Sequence, residues 1–377
     1  MKSSSVIRHP SSAIRHPSSA YLMPAEWERH SSTLLAWPHN KADWPDKFAP
    51  IPWVYAEIIR YLTKVERVSL IVRSEKEKAQ ATDICERAGA NIDKIDFHII
   101  PTNRIWMRDS GPIIVKAQGL GLKAYEKERT NNLSHKPQAI SPNLAMLDFR
   151  FTAWAKYPNH KLDDKVPSSL NEIWNLPRIQ PMHKGKRVVL EGGSIDVNGK
   201  GILLTTEECL LADVQVRNPN FTRDDYEEIF AKYLGIKKTV WLGKGIVGDD
   251  THGHVDDITR FVNADTVVTV VEKDKNDDNY TLLKDNIKRL KTAQLNIVEL
   301  PMPRPVIFEG QRLPASYANF LIANDLVLVP TFNDPADRIA LNILTELFPK
   351  REIVGIHAVD LVWGLGTIHC MSQQIPA

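Results

Sequence analysis

The stretch LVLVPTFNDPADRIALNILTELFPKREIVGI, Leu326–Ile356, holds one complete folding unit. It opens on a short apolar run, Leu326–Val329, of strand length and composition. Asp334 is placed to cap a helix, and Pro335 to fill the first helical position, where no N–H is needed. Ile339, Ile343, Leu344 and Leu347 recur at helical spacing, which predicts one buried apolar stripe, and Pro349 stops the helix. A second apolar run, Ile353–Ile356, follows. The order is strand, helix, strand.

The same order recurs along the chain. Around Thr222–Leu234, Thr222 and Asp225 make a capping box, Ile229, Phe230 and Tyr233 form the stripe, and Gly235 is the C-cap, between strands Ile202–Leu204 and Thr239–Leu242. It recurs at Leu282–Leu290, between Val267–Val271 and Leu295–Leu300, and at Val54–Leu62, between Thr33–Trp37 and Val68–Val72. Pro112–Val189 is the least regular copy. Roughly five units of about 70 residues result. A lone unit cannot bury both faces, whereas several stacked around an axis can, so an α/β propeller is expected and two doubly wound domains are the structural alternative.

Composition agrees with an ordinary globular chain. Of 377 residues, 43% are hydrophobic and 25% charged, and the net charge of +2 gives no electrostatic case for nucleic acid or an anionic membrane as partner. No apolar run reaches transmembrane length. Cys85, Cys209 and Cys370 cannot form a disulfide framework, which fits a reducing, cytoplasmic setting. Residues 7–13 and 14–20 both read IRHPSSA, so residues 1–22 are expected to be a disordered extension and residues 23–377 one catalytic domain.

Residues able to do chemistry fall at the seams between units: Trp106–Pro112, Glu191–Ser194, Asp249–Asp250, His252–Asp257 and Gly364–Cys370. In a ring of repeats such seams face one end of the axis. Taken singly, each has an ordinary reading: Cys370 as a small buried hydrophobe, Asp109 as a turn former before Gly111-Pro112, Glu191 as an exposed strand end. His254 and Asp256 share one strand face if that segment is extended. His369 neighbours Cys370 but points away on an extended chain, so His254 is its better partner. Together, three carboxylates, a histidine and a cysteine make an anionic pocket with a soft nucleophile, suited to a guanidinium. Trp37, Trp106, Trp154 and Trp363 are the aromatics nearest these segments, available for wall or core.

WMRDSGP (Trp106–Pro112), LEGGS (Leu190–Ser194), GHVDD (Gly253–Asp257) and GTIHCMSQQ (Gly366–Gln374) resemble the agmatine deiminase and bacterial peptidylarginine deiminase-like family of the guanidine-modifying, or pentein, superfamily. The resemblance covers residues 23–377. It implies a pentein fold, a five-bladed ββαβ propeller with pseudo-fivefold symmetry. It implies Cys370 as nucleophile, His254 as proton shuttle, Asp109 and Asp256 as guanidinium ligands, Glu191 as support for His254 and the leaving nitrogen, and Trp106 as a substrate-binding wall. It implies agmatine, converted to N-carbamoylputrescine in putrescine biosynthesis, with peptidylarginine as the alternative substrate. No metal or organic cofactor is implied, and a homo-oligomer is left open. The segment at Trp154 lacks the double glycine common in agmatine enzymes, and the run before His369-Cys370 reads Gly-Leu-Gly-Thr. Both departures bear on substrate choice.

Two rival classes stand beside this reading. Thr251–Asp257 is one residue from a zinc-hydrolase ligand run, with Asp257 where a histidine belongs. A non-catalytic ring of the same fold, used only for binding, would have no reason to gather Cys370, His254, Asp256, Asp109 and Glu191.

Overall fold

The computed structural model describes residues 19–118 and 143–377. It is a mixed α/β fold in which five sheets repeat one order: a strand, an antiparallel partner, a helix, and a strand parallel to that partner. Leu321–Ile322, Leu326–Thr331, helix Pro335–Leu347 and Glu352–His357 make one such unit. Asp196–Val197, Ile202–Thr206, helix Arg223–Ile229 and Lys238–Leu242 make another. Thr259–Phe261, Thr266–Val271, helix Asn279–Thr292 and Asn296–Pro301 make a third. In the irregular copy, Ile113–Ala117 and Leu144–Leu147 precede helix Val166–Trp174 and the short strand Arg178–Ile179.

The remaining unit joins the two ends of the chain. Its antiparallel strand is the C-terminal Gln373–Pro376, laid against His30–Ala36, and helix Ile51–Val65 leads to Arg67–Val72. This pairing brings Cys370 back to the first sheet. A helix, Glu75–Arg87, and a fourth strand, Ile95–Ile99, extend this sheet beyond the repeat.

Local signals explain most of these elements. The Thr222–Asp225 and Asp334–Asp337 capping boxes both form, and Gly235 takes the left-handed conformation that ends its helix. Three expectations are corrected. Ile339 is 53% exposed, and Ala340 and Leu344 carry the buried face of that helix, because the sheet covers only a narrow arc of it. His254–Asp256 is not a strand: Val255–Asp257 is a 3-10 turn entered from His254. The proposed extension 1–22 lies outside the described residues up to 18, but Tyr21–Leu22 pairs as an edge strand with Ala117 and Lys116. Among the described residues, no helix is long and apolar enough to cross a membrane.

Candidate active site

The expected residues are set on turns, not within strands. Asp109 sits in the short helix Met107–Ser110. That turn closes because Gly111 approaches the carbonyl of Met107, where a Cβ would come within 2.4 Å. Glu191 leads into the turn Gly192–Ser194. His254 is presented by a loop organised on one carboxylate: Asp249 accepts the backbone N–H groups of Thr251 (2.8 Å), Gly253 (2.7 Å) and His254 (3.0 Å).

These turns meet around Gly193. A Cβ there would lie 2.6 Å from His254 Nδ1, 2.8 Å from Asp109 Oδ1 and 3.2 Å from Asp256 Oδ2. Only the absence of a side chain lets the three groups approach, and the Gly193 N–H itself donates to Asp109 Oδ1 at 3.0 Å. Gly192 is equally required, since its Cβ would fall 2.2 Å from the carbonyl oxygen of Arg108.

Each charged group has its own support. Glu191 is fully buried, not exposed at a strand end, and Arg217 Nε donates to both of its oxygens at 3.2 Å. Burial pushes the Glu191 carboxyl up, but Arg217 and His254 outweigh it and hold it down to about 2. His254 stands with Nε2 3.7 Å from Glu191 and Nδ1 3.7 Å from Asp109. Burial pulls the imidazole down, yet Asp109, Cys209 and Glu191 carry it well above its ordinary range, so it stands as the imidazolium. Burial raises Asp109 to about 6 against the pull of His254.

Asp256 Oδ2 lies 3.7 Å from Cys370 Sγ and 2.7 Å from His369 Nδ1. The second nitrogen of His369 reaches Glu26 Oε2 at 2.9 Å, and Glu26 also pairs with the buried Arg260. His369 therefore turns away from Cys370, as expected, and steadies Asp256 instead. Asp256 Oδ1 is buried and has no partner, as are both ring nitrogens of His254. Buried polar atoms are normally satisfied, so these three mark unmet hydrogen-bonding capacity at the site.

Cys370 Sγ accepts from Asn319 Nδ2 at 3.0 Å. Asn319 also donates to Asp257 Oδ1 (2.9 Å) and accepts from Thr367 (2.6 Å) and the N–H of His369 (3.0 Å). Burial, then Asp256, Asp257 and Asp109, push the Cys370 thiol well above its usual range. Burial and these carboxylates thus favour the protonated sulfur. Asn319, Glu26 and Arg217 were not foreseen from the sequence. Asn319 lies within YANFLIAND (Tyr317–Asp325), which resembles the family but contains nothing that marks an amide as a partner of a distant thiol.

Cys370 and Asp109 open on a cavity of about 370 Å³, walled by Trp106, Trp154 and Trp363. Trp37 is instead core, edge-on to Tyr55. Trp154 Nε1 donates to Asp109 Oδ2 at 2.9 Å from a left-handed turn, Ala153–Ala155, with φ of 47°, 58° and 53°. Side chains rarely adopt three such angles in succession, so the wall is built at a conformational cost that glycine would reduce.

Among the described residues, two trios have donor atoms close enough for a metal ion: Glu191, Cys209 and His254, and Asp256, Asp257 and Cys370. In the first a metal would compete with Arg217 for Glu191, and in the second with Asn319 for Asp257. His252, His357 and His369, the remaining ligands of the zinc reading, are in neither trio.

Residues 22–376 match the family described as Porphyromonas-type peptidyl-arginine deiminase. The chain belongs to this family. An agmatine deiminase from Stutzerimonas stutzeri (strain A1501) is 31% identical over 95% of this chain and 96% of its own length. The substrate-bound C. jejuni agmatine deiminase structure superposes with a TM-score of 0.81 at 28% identity, covering 95% of this chain and 96% of that one. The structure of the Enterococcus faecalis agmatine deiminase does so at 0.79 and 29%, with the same coverage. The family match thus spans every candidate site residue, from Trp106 to Cys370.

Proposed function

We propose that this protein hydrolyses a guanidinium substrate, agmatine, to N-carbamoylputrescine and ammonia. The carrying observation is the meeting of Asp109, Asp256 and His254 around Gly193, with Cys370 Sγ 3.7 Å from Asp256 and with Asp109 and Cys370 on the wall of one cavity, in a chain of this family. The named activity of its relatives supports the choice of agmatine.

In this mechanism Asp109 and Asp256 hold the guanidinium, and the unpartnered Asp256 Oδ1 accepts one of its N–H groups. The bound positive charge offsets the carboxylates that keep Cys370 protonated, so the thiol releases its proton to solvent as substrate enters. The thiolate forms a bond to the guanidinium carbon. His254, already an imidazolium, gives its proton to the departing nitrogen, the C–N bond breaks and ammonia leaves. A covalent S-alkylthiouronium remains. Neutral His254 takes a proton from water and the resulting hydroxide adds to the same carbon; the C–S bond then breaks, the departing sulfur takes the remaining hydroxyl proton to restore the thiol, and the ureido product is released. Glu191, fixed by Arg217, orients His254 and stabilises its charged form.

The same reading takes residues 23–377 as one catalytic domain and closes the five units into a five-bladed ring, supported by the pairing of the C-terminal strand with the first sheet. Ammonia release from agmatine, free arginine and an arginyl peptide, measured side by side, tests the function. Turnover of agmatine well above the other two is expected. Turnover of the peptide alone would favour peptidylarginine, and turnover of none would reject deimination.

A further inference from the structure

Two of the three cysteines lie close to the catalytic groups. Cys370 is on the wall of the cavity that runs to Asp43, Arg104 and Asp250, and Cys209 is not. Cys209 belongs to LLTTEECLL, Leu203–Leu211, a stretch with no part in the mechanism above. This stretch nevertheless holds both turns that carry Glu191 and His254. Thr205 Oγ1 donates to the carbonyl of Ser194 at 2.8 Å, at the end of the turn that Glu191 enters. Thr206 Oγ1 donates to the carbonyl of Gly253 at 2.5 Å, one residue before His254. Glu208 Oε2 accepts the N–H of Gly245 at 2.7 Å and presses on Gly253, where a Cβ would come within 2.9 Å of it. Thr206 also caps the short helix Glu207–Leu211 by accepting the N–H of Cys209 at 3.1 Å. The backbone that fixes Cys209 thus also fixes the loop of His254.

Cys209 is buried, and its sulfur, a Glu191 oxygen and a His254 nitrogen all lie within 4.8 Å of one another. The ring is also flanked by two carboxylates, Glu191 and Asp109, each 3.7 Å from one nitrogen. Neither nitrogen has a hydrogen-bond partner. An ionised carboxylate can only accept, so Glu191 and Asp109 suit the imidazolium and offer nothing to a nitrogen that has lost its proton. A thiol accepts weakly and donates weakly, so it suits the ring in either charge state.

We propose that Cys209 is a positioning residue that keeps the His254 ring in place while it is neutral, in the half of the reaction that consumes water. This inference rests on the covalent reading of Cys370 given above. Cys209 forms no bond to substrate and acts only through the imidazole.

The test compares the full-length protein with Cys209→Ala and Cys209→Ser, whose new side chains are close in size and differ by a hydroxyl that can donate and accept. Each protein, in excess, is mixed with agmatine and quenched in acid, and the mass added to Cys370 is followed through its rise and decay. Steady-state kcat/KM is measured beside it. Loss of one weak hydrogen bond should slow decay of the adduct about fivefold in Cys209→Ala. In Cys209→Ser the decay should stay within about twofold of the unsubstituted rate. Steps up to the departure of ammonia set kcat/KM, which should stay within about twofold in both variants. A merely structural role would lower the fraction of protein that forms adduct without slowing its decay. The proposal is overturned by decay at the unsubstituted rate in Cys209→Ala, by equally slow decay in Cys209→Ser, or by a fall in kcat/KM as large as that in decay. Should Cys209→Ala fold poorly, Cys209→Thr and Cys209→Val, alike in shape, give the same comparison. Ammonia release with no adduct on Cys370 of the unsubstituted protein would reject the covalent reading and the proposal together. With the adduct present, the outcomes above reject the proposal alone.

Discussion

The two ends of the cavity are built differently. At the Cys370 end, charged groups are buried and held from behind: Glu191 by Arg217, Asp256 by His369, and His369 in turn by Glu26. The atoms left without a hydrogen-bond partner there are Asp256 Oδ1 and both His254 ring nitrogens. At the Asp43 end, charges pair mainly with one another, and Lys156 remains 41% exposed. A network supported through several buried partners fixes geometry, whereas a half-solvated pair can exchange partners at little cost. The inner end is therefore built to hold a fixed geometry, and the outer end to exchange partners.

The sharpest way to break this contrast is at the sulfur. Cys370→Ala should lower ammonia release by about 10⁵-fold or more, with the thermal midpoint little changed, because it removes the group that forms the covalent bond. Comparable turnover by the variant would end the mechanism. Gly193→Ala comes next. Its Cβ would intrude on His254, Asp109 and Asp256 together. A loss of about 10²-fold in kcat/KM is expected from misplacement alone, with a circular dichroism spectrum like that of the unsubstituted protein. A near-normal kcat/KM would mean that the inner end tolerates displacement as the outer end does.

Acid sharpens the comparison further. Asp109 titrates at about 6 and must be ionised to hold a guanidinium, so kcat/KM should fall about tenfold per unit as pH drops below 6. His254 is held charged through the same window and cannot cause that fall. Stability moves with a different group. Glu191 lies at about 2 against an ordinary 4.5, so its contribution is full above 4.5 and is lost as pH falls towards 2. A pH–rate profile without an acid limb near 6 would contradict the assignment to Asp109. The smallest effect belongs to the mouth: Lys156→Met removes a half-exposed ion pair with Asp250 and should leave both KM and kcat for agmatine within about twofold. A large change in kcat would show that the mouth takes part in the chemistry.

Much of the site was legible because its chemistry demands particular residue types next to glycine. Asp109 before Gly111, Glu191 before Gly192-Gly193, and Gly253 beside His254 all stand out locally. The partners behind them did not. Arg217, Asn319 and Glu26 act on residues far away in sequence, and nothing adjacent to them signals it. The strand assigned to His254–Asp256 failed for a related reason. Alternation over three residues fits a strand or a turn equally, and Asp249 decided for the turn by capturing three backbone N–H groups.

The sequence by itself determined the repeated strand–helix–strand order, through apolar spacing and caps that act within a few residues. It also marked which side chains could do chemistry. Only the tertiary structure decided which charges those side chains carry and which oxygens remain unpaired. Burial and distant partners set both, and neither has a local signature in the chain.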